Sequence, residues 1–268
     1  MNLYHYTKIS TVIDCILSYK TIRFSTLSGT NDPYENLPTV FSISGNTNGL
    51  DVGKELRRTE ELFKALKSNI KVFCATTDGC SESNNKTGGI LYNIDKGFSK
   101  PRMWAQYAEN GTGVCIVLDS EKFLEKANTT FSDCEIIAKK INYCSQGEFV
   151  NKVSVATSID ASDLLQTDDV LLESIYKKYS DTFFFTKHPD WKDENEMRYL
   201  LRERNDVIRD VNVDGIIEAV ILGINIDGKN KEKVEKLIRE FDNPPILFQL
   251  EFWDGYYQIV PCNESDNG

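Results

Sequence analysis

Residues 3–25 read LYHYTKISTVIDCILSYKTIRFS, and the change of period inside this stretch decides the fold class. LYHYT (3–7) has the character of a short strand. Ile9, Val12, Ile13, Ile16 and Leu17 then recur at the three- and four-residue spacing that places them on one helical face, and TIRFS (21–25) returns to a strand. Strand, helix and strand in immediate succession predict an α+β chain.

The next segment, SGTNDPYENLP (28–38), gathers Gly29, Asn31, Asp32, Pro33 and Pro38, a density of turn formers that predicts a loop, with a short strand around Val40 to Ile43 after it. Residues 54–68 are charged and amphipathic, with Leu56, Phe63 and Leu66 inward, and predict a surface helix. IKVFCAT (70–76) is the next strand. Residues 78–100 are rich in Gly, Ser, Asn and Lys without periodicity and predict a long mobile loop or insertion. RMWAQYAENGTG (102–113) predicts a short helix ended by Gly111, GVCIVLD (113–119) a buried strand, EIIAKKINYC (135–144) another strand, and 162–185 a helix. MRYLLRE (197–203), VIRDV (207–211), AVILGIN (219–225) and ILFQLEFW (246–253) read as strands, and KEKVEKLIREF (231–241) as an amphipathic helix. No repeat and no linker interrupts the pattern, so residues 1–268 are expected to form a single domain.

A composition 40% hydrophobic and 11% aromatic suffices for a sizeable core, which excludes wholesale disorder. No stretch reaches the roughly 18–20 apolar residues of a membrane span, and the N-terminus lacks a signal-peptide pattern. A cytoplasmic protein with no membrane partner is expected. The net charge of −10 opposes a broad electrostatic grip on nucleic acid, because such a grip needs Lys and Arg against phosphates. Seven cysteines (Cys15, Cys74, Cys80, Cys115, Cys134, Cys144, Cys262) form an odd, irregularly spaced set without C-x-x-C, so they read as reduced thiols rather than a disulfide framework or a zinc site.

Several groups carry potential chemistry. His5 sits in the first strand between two tyrosines and reads either as a hydrogen-bonded structural histidine or as a ligand contact. Asn31-Asp32-Pro33-Tyr34-Glu35 brings two carboxylates and an amide onto a tight loop, for a ligand or simply for the turn's own backbone. Trp104 and Tyr107 lie one helical turn apart and share a face. In KHPDWKDENEMR (187–198), an extended backbone from Glu194 onward would point Glu194, Glu196 and Arg198 to one side. Two carboxylates there would raise one pKa unless Arg198 or a bound hydroxyl offset the repulsion. Cys74 and Cys80 lack a patterned base, and KTGGI around Gly89 lacks the glycine spacing of a Rossmann or P-loop site.

Four blocks, LYHYT, IRFSTLSGTNDPYE, MWAQYAENGTGVCIVLD and FFFTKHPDWKDENEMRYL, resemble in order and spacing the bacterial domain-of-unknown-function 2971 family over most of the chain. More distantly, a strand holding a histidine, then a helix and a short return strand, is similar to the opening of ADP-ribosyltransferases of the His-Tyr-Glu class. That second resemblance implies a split, twisted antiparallel or mixed β-sheet core with peripheral helices, and NAD as substrate. It implies that His5, flanked by Tyr6 and Thr7, contacts the adenosine side of the nucleotide and that Tyr107 stacks on the nicotinamide. Glu196 would hold the nicotinamide ribose and Glu194 orient the acceptor, with the two roles interchangeable. Arg23, Lys187 and Arg198 are candidates to neutralise the pyrophosphate, and Ser25, Asn31, Asp32 and Trp104 to complete the nucleotide site. The placing of the tyrosine on a helix, and the NDPYE loop, depart from the better-known transferases.

The expectation is therefore an NAD-dependent ADP-ribosyltransferase acting on a protein or nucleic-acid acceptor, in the setting of a bacterial toxin or anti-phage effector with an antitoxin or regulatory partner. Two alternatives stand beside it. One is a non-catalytic nucleotide sensor using the same pocket. The other is a nuclease with Mg²⁺ on Asp32, Glu35, Glu194 and Glu196.

Overall fold

The computed structural model describes residues 1–79, 95–203 and 207–262. It is a mixed α and β structure built on one large sheet. The strands of that sheet are β1 (Asn2–Thr7), β2 (Thr21–Thr26), β4 (Ile70–Thr76), β5 (Val114–Asp119), β6 (Ile136–Lys140), β10 (Glu196–Arg202), β11 (Arg209–Asn212), β12 (Ile217–Leu222), β13 (Ile246–Trp253) and β14 (Tyr256–Pro261). Two short parallel pairs stand apart from it: β3 (Ser42–Ser44) with β8 (Ser158–Asp160), and β7 (Asn142–Tyr143) with β9 (Thr186–Lys187). Within the large sheet β12 and β13 run parallel and the other neighbours antiparallel.

The sheet branches at β4. A strand has two hydrogen-bonding edges, and β10 occupies one of them along the whole of β4, from Ile70 to Thr76. The other edge is shared. β2 takes its beginning, through Ser25 opposite Val72 and Thr26 opposite Lys71, and β1 takes its end, through Tyr4 opposite Thr76. Beyond β1 the sheet continues through β5, β12, β13 and β14, and beyond β2 it stops at β11. Phe73, Cys74 and Ala75 are therefore unpaired on the shared edge, and the strands splay apart there.

Side-chain alternation divides the core accordingly. Leu3, Phe24, Phe73, Ala75, Val114, Ile116, Leu118, Tyr199 and Leu201 point to one face and join a single apolar cluster with Val12, Ile16 and Leu17 of the first helical segment. The opposite face carries two clusters. One gathers Tyr4, Tyr6, Trp104, Cys115 and Val117, and the other Ile70, Val72, Leu200, Phe63 and Phe184. Thr76, Glu196 and Arg198 lie on the sheet between those two clusters. Among the described residues no helix is long and apolar enough to cross a membrane.

The expected strands appear, with instructive differences. The helix foreseen over 9–17 starts as α-helix at Ile9–Thr11 and widens into a π-helical segment, Val12–Leu17. The 28–38 stretch is not all loop. Asp32 accepts the Tyr34 amide at 2.9 Å and caps a helical turn, Pro33–Asn36, in which proline occupies the first position that tolerates it. EIIAKKINYC breaks into β6 and β7 at Ile141, whose side chain is buried under the Phe63 cluster. The helix expected over 162–185 runs Asp168–Phe184, after a 3₁₀ turn at Asp163–Leu165. Helices Ser120–Thr130 and Gln146–Ala156 and strand β14 had no expectation attached. Most of the 78–100 loop, with Cys80 and Gly89, lies outside the described residues. Of the described cysteines, all free, Cys115 and Cys144 are buried and Cys15 is exposed.

Gly113 fixes the distance between the turn at Ala108, just after helix Pro101–Gln106, and β1. A Cβ there would collide with the Thr7 carbonyl oxygen and the backbone of Ala108, neither of which is the free end of a side chain. Gly113→Ala is expected to cost about 1–3 kcal/mol by overpacking, measured from urea unfolding midpoints; an unchanged midpoint would refute this account of the contact.

Candidate functional site

The splay at β4 opens into a cavity of about 460 Å³. Its walls come from both branches of the sheet and from three connecting segments. His5 and Tyr6 enter from β1, Arg23 and Ser25 from β2, Asn31 from the loop after β2, and Tyr107 from the end of helix Pro101–Gln106. Lys187, Glu194, Glu196 and Arg198 form the remaining wall. Thr7, Asp32 and Trp104 do not line the cavity. Trp104 is buried, its indole N–H donating to the Phe98 carbonyl at 2.7 Å and its ring set edge-on to Tyr6. Asp32 is buried as the helix cap already described, and burial raises its pKa.

Glu194, Glu196 and Arg198 do converge, but the route differs from strand alternation. Glu194 ends a 3₁₀ turn, Pro189–Glu194, and β10 begins only at Glu196. Between them Asn195 takes the left-handed conformation, φ 45° and ψ 50°, which asparagine tolerates better than most residues. The corner is clamped to the end of β4. The Asn195 amide donates to the Thr77 and Asp78 carbonyls at 2.9 and 2.7 Å, and its own carbonyl accepts from the Thr77 backbone N–H and hydroxyl.

Lys187, at the end of β9, ties the two glutamates together. Its ammonium donates to Glu194 Oε2 at 3.0 Å and Glu196 Oε2 at 2.6 Å. Arg198 is fully buried, with Nε donating to Glu196 Oε1 at 2.7 Å and Nη1 meeting Glu35 Oε1 at 2.6 Å and the Phe184 carbonyl at 2.8 Å. The Tyr107 hydroxyl donates to Glu194 Oε1 at 2.6 Å, and the Tyr143 hydroxyl accepts the Glu196 backbone N–H at 3.0 Å.

These contacts set the charge states. Burial would raise the Glu196 pKa, but Arg198 and Lys187 overcome it and hold the carboxyl at about 2. The repulsion between the two glutamates, expected to raise one pKa unless Arg198 or a bound hydroxyl offset it, is countered at Glu196 by Arg198 and by Lys187. Burial would likewise neutralise Lys187, and the carboxylates of Glu196, Glu35 and Glu194 keep it charged. Burial, then Glu194, push the Tyr107 phenol up, so it stays a donor. Desolvation lowers the His5 pKa. Its Nδ1 lies 3.1 Å from the Cys74 carbonyl, on the edge of β4 that the splay leaves unpaired. A carbonyl only accepts, so the neutral ring carries its proton on Nδ1 and keeps Nε2 as an acceptor.

Residues 103–199 match the family model of a protein of unknown function, DUF2971. No curated protein and no solved structure matches the chain. The matched stretch carries Tyr107, Lys187, Glu194, Glu196 and Arg198, one wall of the cavity. The opposite wall, with His5, Arg23, Ser25 and Asn31, precedes it, as do the LYHYT and NDPYE blocks.

Lys187 and Arg198 are committed to carboxylates, while Arg23 stands at the mouth, well exposed, in a two-point contact with Asp210. Glu35 was legible as a carboxylate of the NDPYE loop but not as the counter-charge of Arg198. Tyr143 and Lys8, the latter a lining residue, carried no signal in the sequence. Among the described residues, the acidic and thiol side chains close enough to share a metal are Asp133, Cys134 and Glu203, which Arg209 already engages. Glu35, Glu194 and Glu196 are held instead by the two cations.

Two outcomes follow. Lys187→Met leaves Glu194 and Glu196 buried against each other, and is expected to lower stability by about 3–5 kcal/mol in denaturant titrations at neutral pH. Because Glu196 is held below its ordinary 4.5, its ion pairs stabilise the fold fully above that pH and are lost as pH falls from there toward about 2. The acid limb of thermal stability should therefore be shallower in Glu196→Gln than in the native chain; parallel limbs would contradict the assigned charge state.

Proposed function

We propose that the chain is an NAD-dependent ADP-ribosyltransferase acting on a macromolecular acceptor, and that the cavity is its nucleotide site. One observation carries the reading: His5, Tyr107 and the Glu194/Glu196 pair, far apart in sequence, line the same cavity. Its volume lies in the range of small-molecule sites. The neutral His5, with Nε2 free to accept, suits a ribose or adenosine hydrogen-bond donor. The Tyr107 ring, fixed by its hydroxyl on Glu194, suits stacking on a planar heterocycle.

The chemistry asks for an anion that stays ionised in a site shielded from water. Cleavage of the bond between nicotinamide and ribose C1′ leaves the electron pair on the departing ring nitrogen and positive charge on the sugar. Glu196 is buried and ionised, and its two cations orient it in advance. The acceptor nucleophile then bonds to C1′ and gives up its proton to solvent, with Glu194 on the same wall to orient it.

A second reading is favoured by the same carboxylate. Both Glu196 oxygens already accept from a cation, which suits a rigid, non-catalytic nucleotide sensor. The two separate experimentally. Purified protein incubated with NAD is expected to release nicotinamide, and Glu196→Gln to lower that rate by about 100-fold or more, the scale of losing one transition-state electrostatic contact. Equal rates in both proteins would remove Glu196 from the chemistry, and calorimetric binding without release would move the assignment to the sensor.

A further inference from the structure

Among the described residues the large sheet ends in three strands that have a neighbour on one edge only: β6, β11 and β14. An edge strand offers unpaired N–H and C=O groups to any other strand, and charged side chains on it are a common defence. β6 carries Lys139 and Lys140, and β11 carries Arg209 and Asp210. β14, Tyr256–Pro261, carries no charged residue. Exposed apolar side chains gather on the hairpin it forms with β13: Ile246, Phe252, Trp253 and Val260. The hairpin turns through Asp254 and Gly255, both at positive φ (44° and 91°), the two-residue turn whose twist suits paired strands. Trp253 and Tyr256 close it, and in such a turn the closing pair exchanges both hydrogen bonds. Alternation then aims the N–H and C=O of Tyr256, Gln258 and Val260 at β13, and those of Tyr257 and Ile259 at the open edge.

The order Tyr256-Tyr257-Gln258-Ile259-Val260 along that edge is complementary to itself. Laid antiparallel against a second copy about a two-fold axis at Gln258, it sets Tyr257 opposite Ile259 and Tyr256 opposite Val260. Residues directly opposite share a face, so each contact is an aromatic ring against a β-branched side chain, a favourable cross-strand combination. The same register makes Tyr257 and Ile259 the hydrogen-bonded pair, since their main-chain groups are the ones that point outward. Moving the axis to Ile259 would set Tyr257 against Pro261, which has no N–H to give. We infer that the chain pairs with a second copy of itself through β14, so that the sheet continues across a two-fold axis. The inference is independent of the transferase reading, because β1, β5, β12 and β13 separate β14 from the cavity at β4. Each copy carries a net charge of −10, so the uncharged contact forms against long-range repulsion, which added salt screens.

The test is analytical sedimentation of the full chain over a range of concentrations. A dimer is expected, and raising the ionic strength is expected to strengthen it. Ile259→Pro withdraws an N–H from the open edge, a place where proline is tolerated within one copy. It is expected to raise the dimer dissociation constant by about tenfold or more, the scale of two lost hydrogen bonds. Gln258→Lys sets two lysines opposite each other at the axis and is expected to weaken the dimer as well. It changes a polar side chain only, and so decides the matter if Ile259→Pro does not fold. A chain that stays monomeric at every concentration would overturn the inference. So would a dimer that both variants leave intact, or one that salt dissolves, since the copies would then meet elsewhere.

Discussion

A guanidinium with no access to water has to be answered by charge from within the protein, and Arg198 is such a group on a central strand. Its Nε and Nη1 reach Glu196 on its own strand, Glu35 on the turn after β2, and the Phe184 carbonyl at the end of a long helix. Three separate segments, one of them remote in sequence, are thereby fixed by one side chain. Removing both carboxylates would leave the buried Arg198 charge uncompensated, which costs far more than the pairs contribute. The ionic wall of the cavity is thus a structural necessity before it is a chemical opportunity, and Lys187 extends it to Glu194 and, through that, to Tyr107.

The helices and strands were legible where their period was clean. LYHYT, TIRFS, IKVFCAT and GVCIVLD all appear as strands, because alternation or apolar runs bounded by turn formers leave little choice. Helices Ser120–Thr130 and Gln146–Ala156 escaped, although Asp119 and Ser145 cap them as sequence rules would have it. Their apolar faces are narrow, with Phe123 and Ala127 in one and Phe149 and Ala156 in the other buried. Strand β14 escaped because it is an edge strand with few buried side chains.

The site was legible in its members more than in its geometry. Glu194, Glu196 and Arg198 were expected together for a reason that fails at Asn195, whose left-handed backbone replaces the extended one. The convergence survives because Lys187, nine residues before Glu196, bonds both carboxylates. Spacing along a chain cannot foretell a contact made by a turn of that kind. Nor could it foretell that β1 and β2 share an edge of β4, since that is decided by long-range pairing and not by local sequence.

That shared edge has a consequence for what the molecule can become. Much of the cavity's frame is main chain of β1, β2 and β4, held open because two strands divide one edge between them. Side chains at Ser25, Val72 and Cys74 line the space. Such a socket can have its lining exchanged while its frame stays in place, so new ligand preferences are open to this fold by substitution alone, with no loop to rebuild.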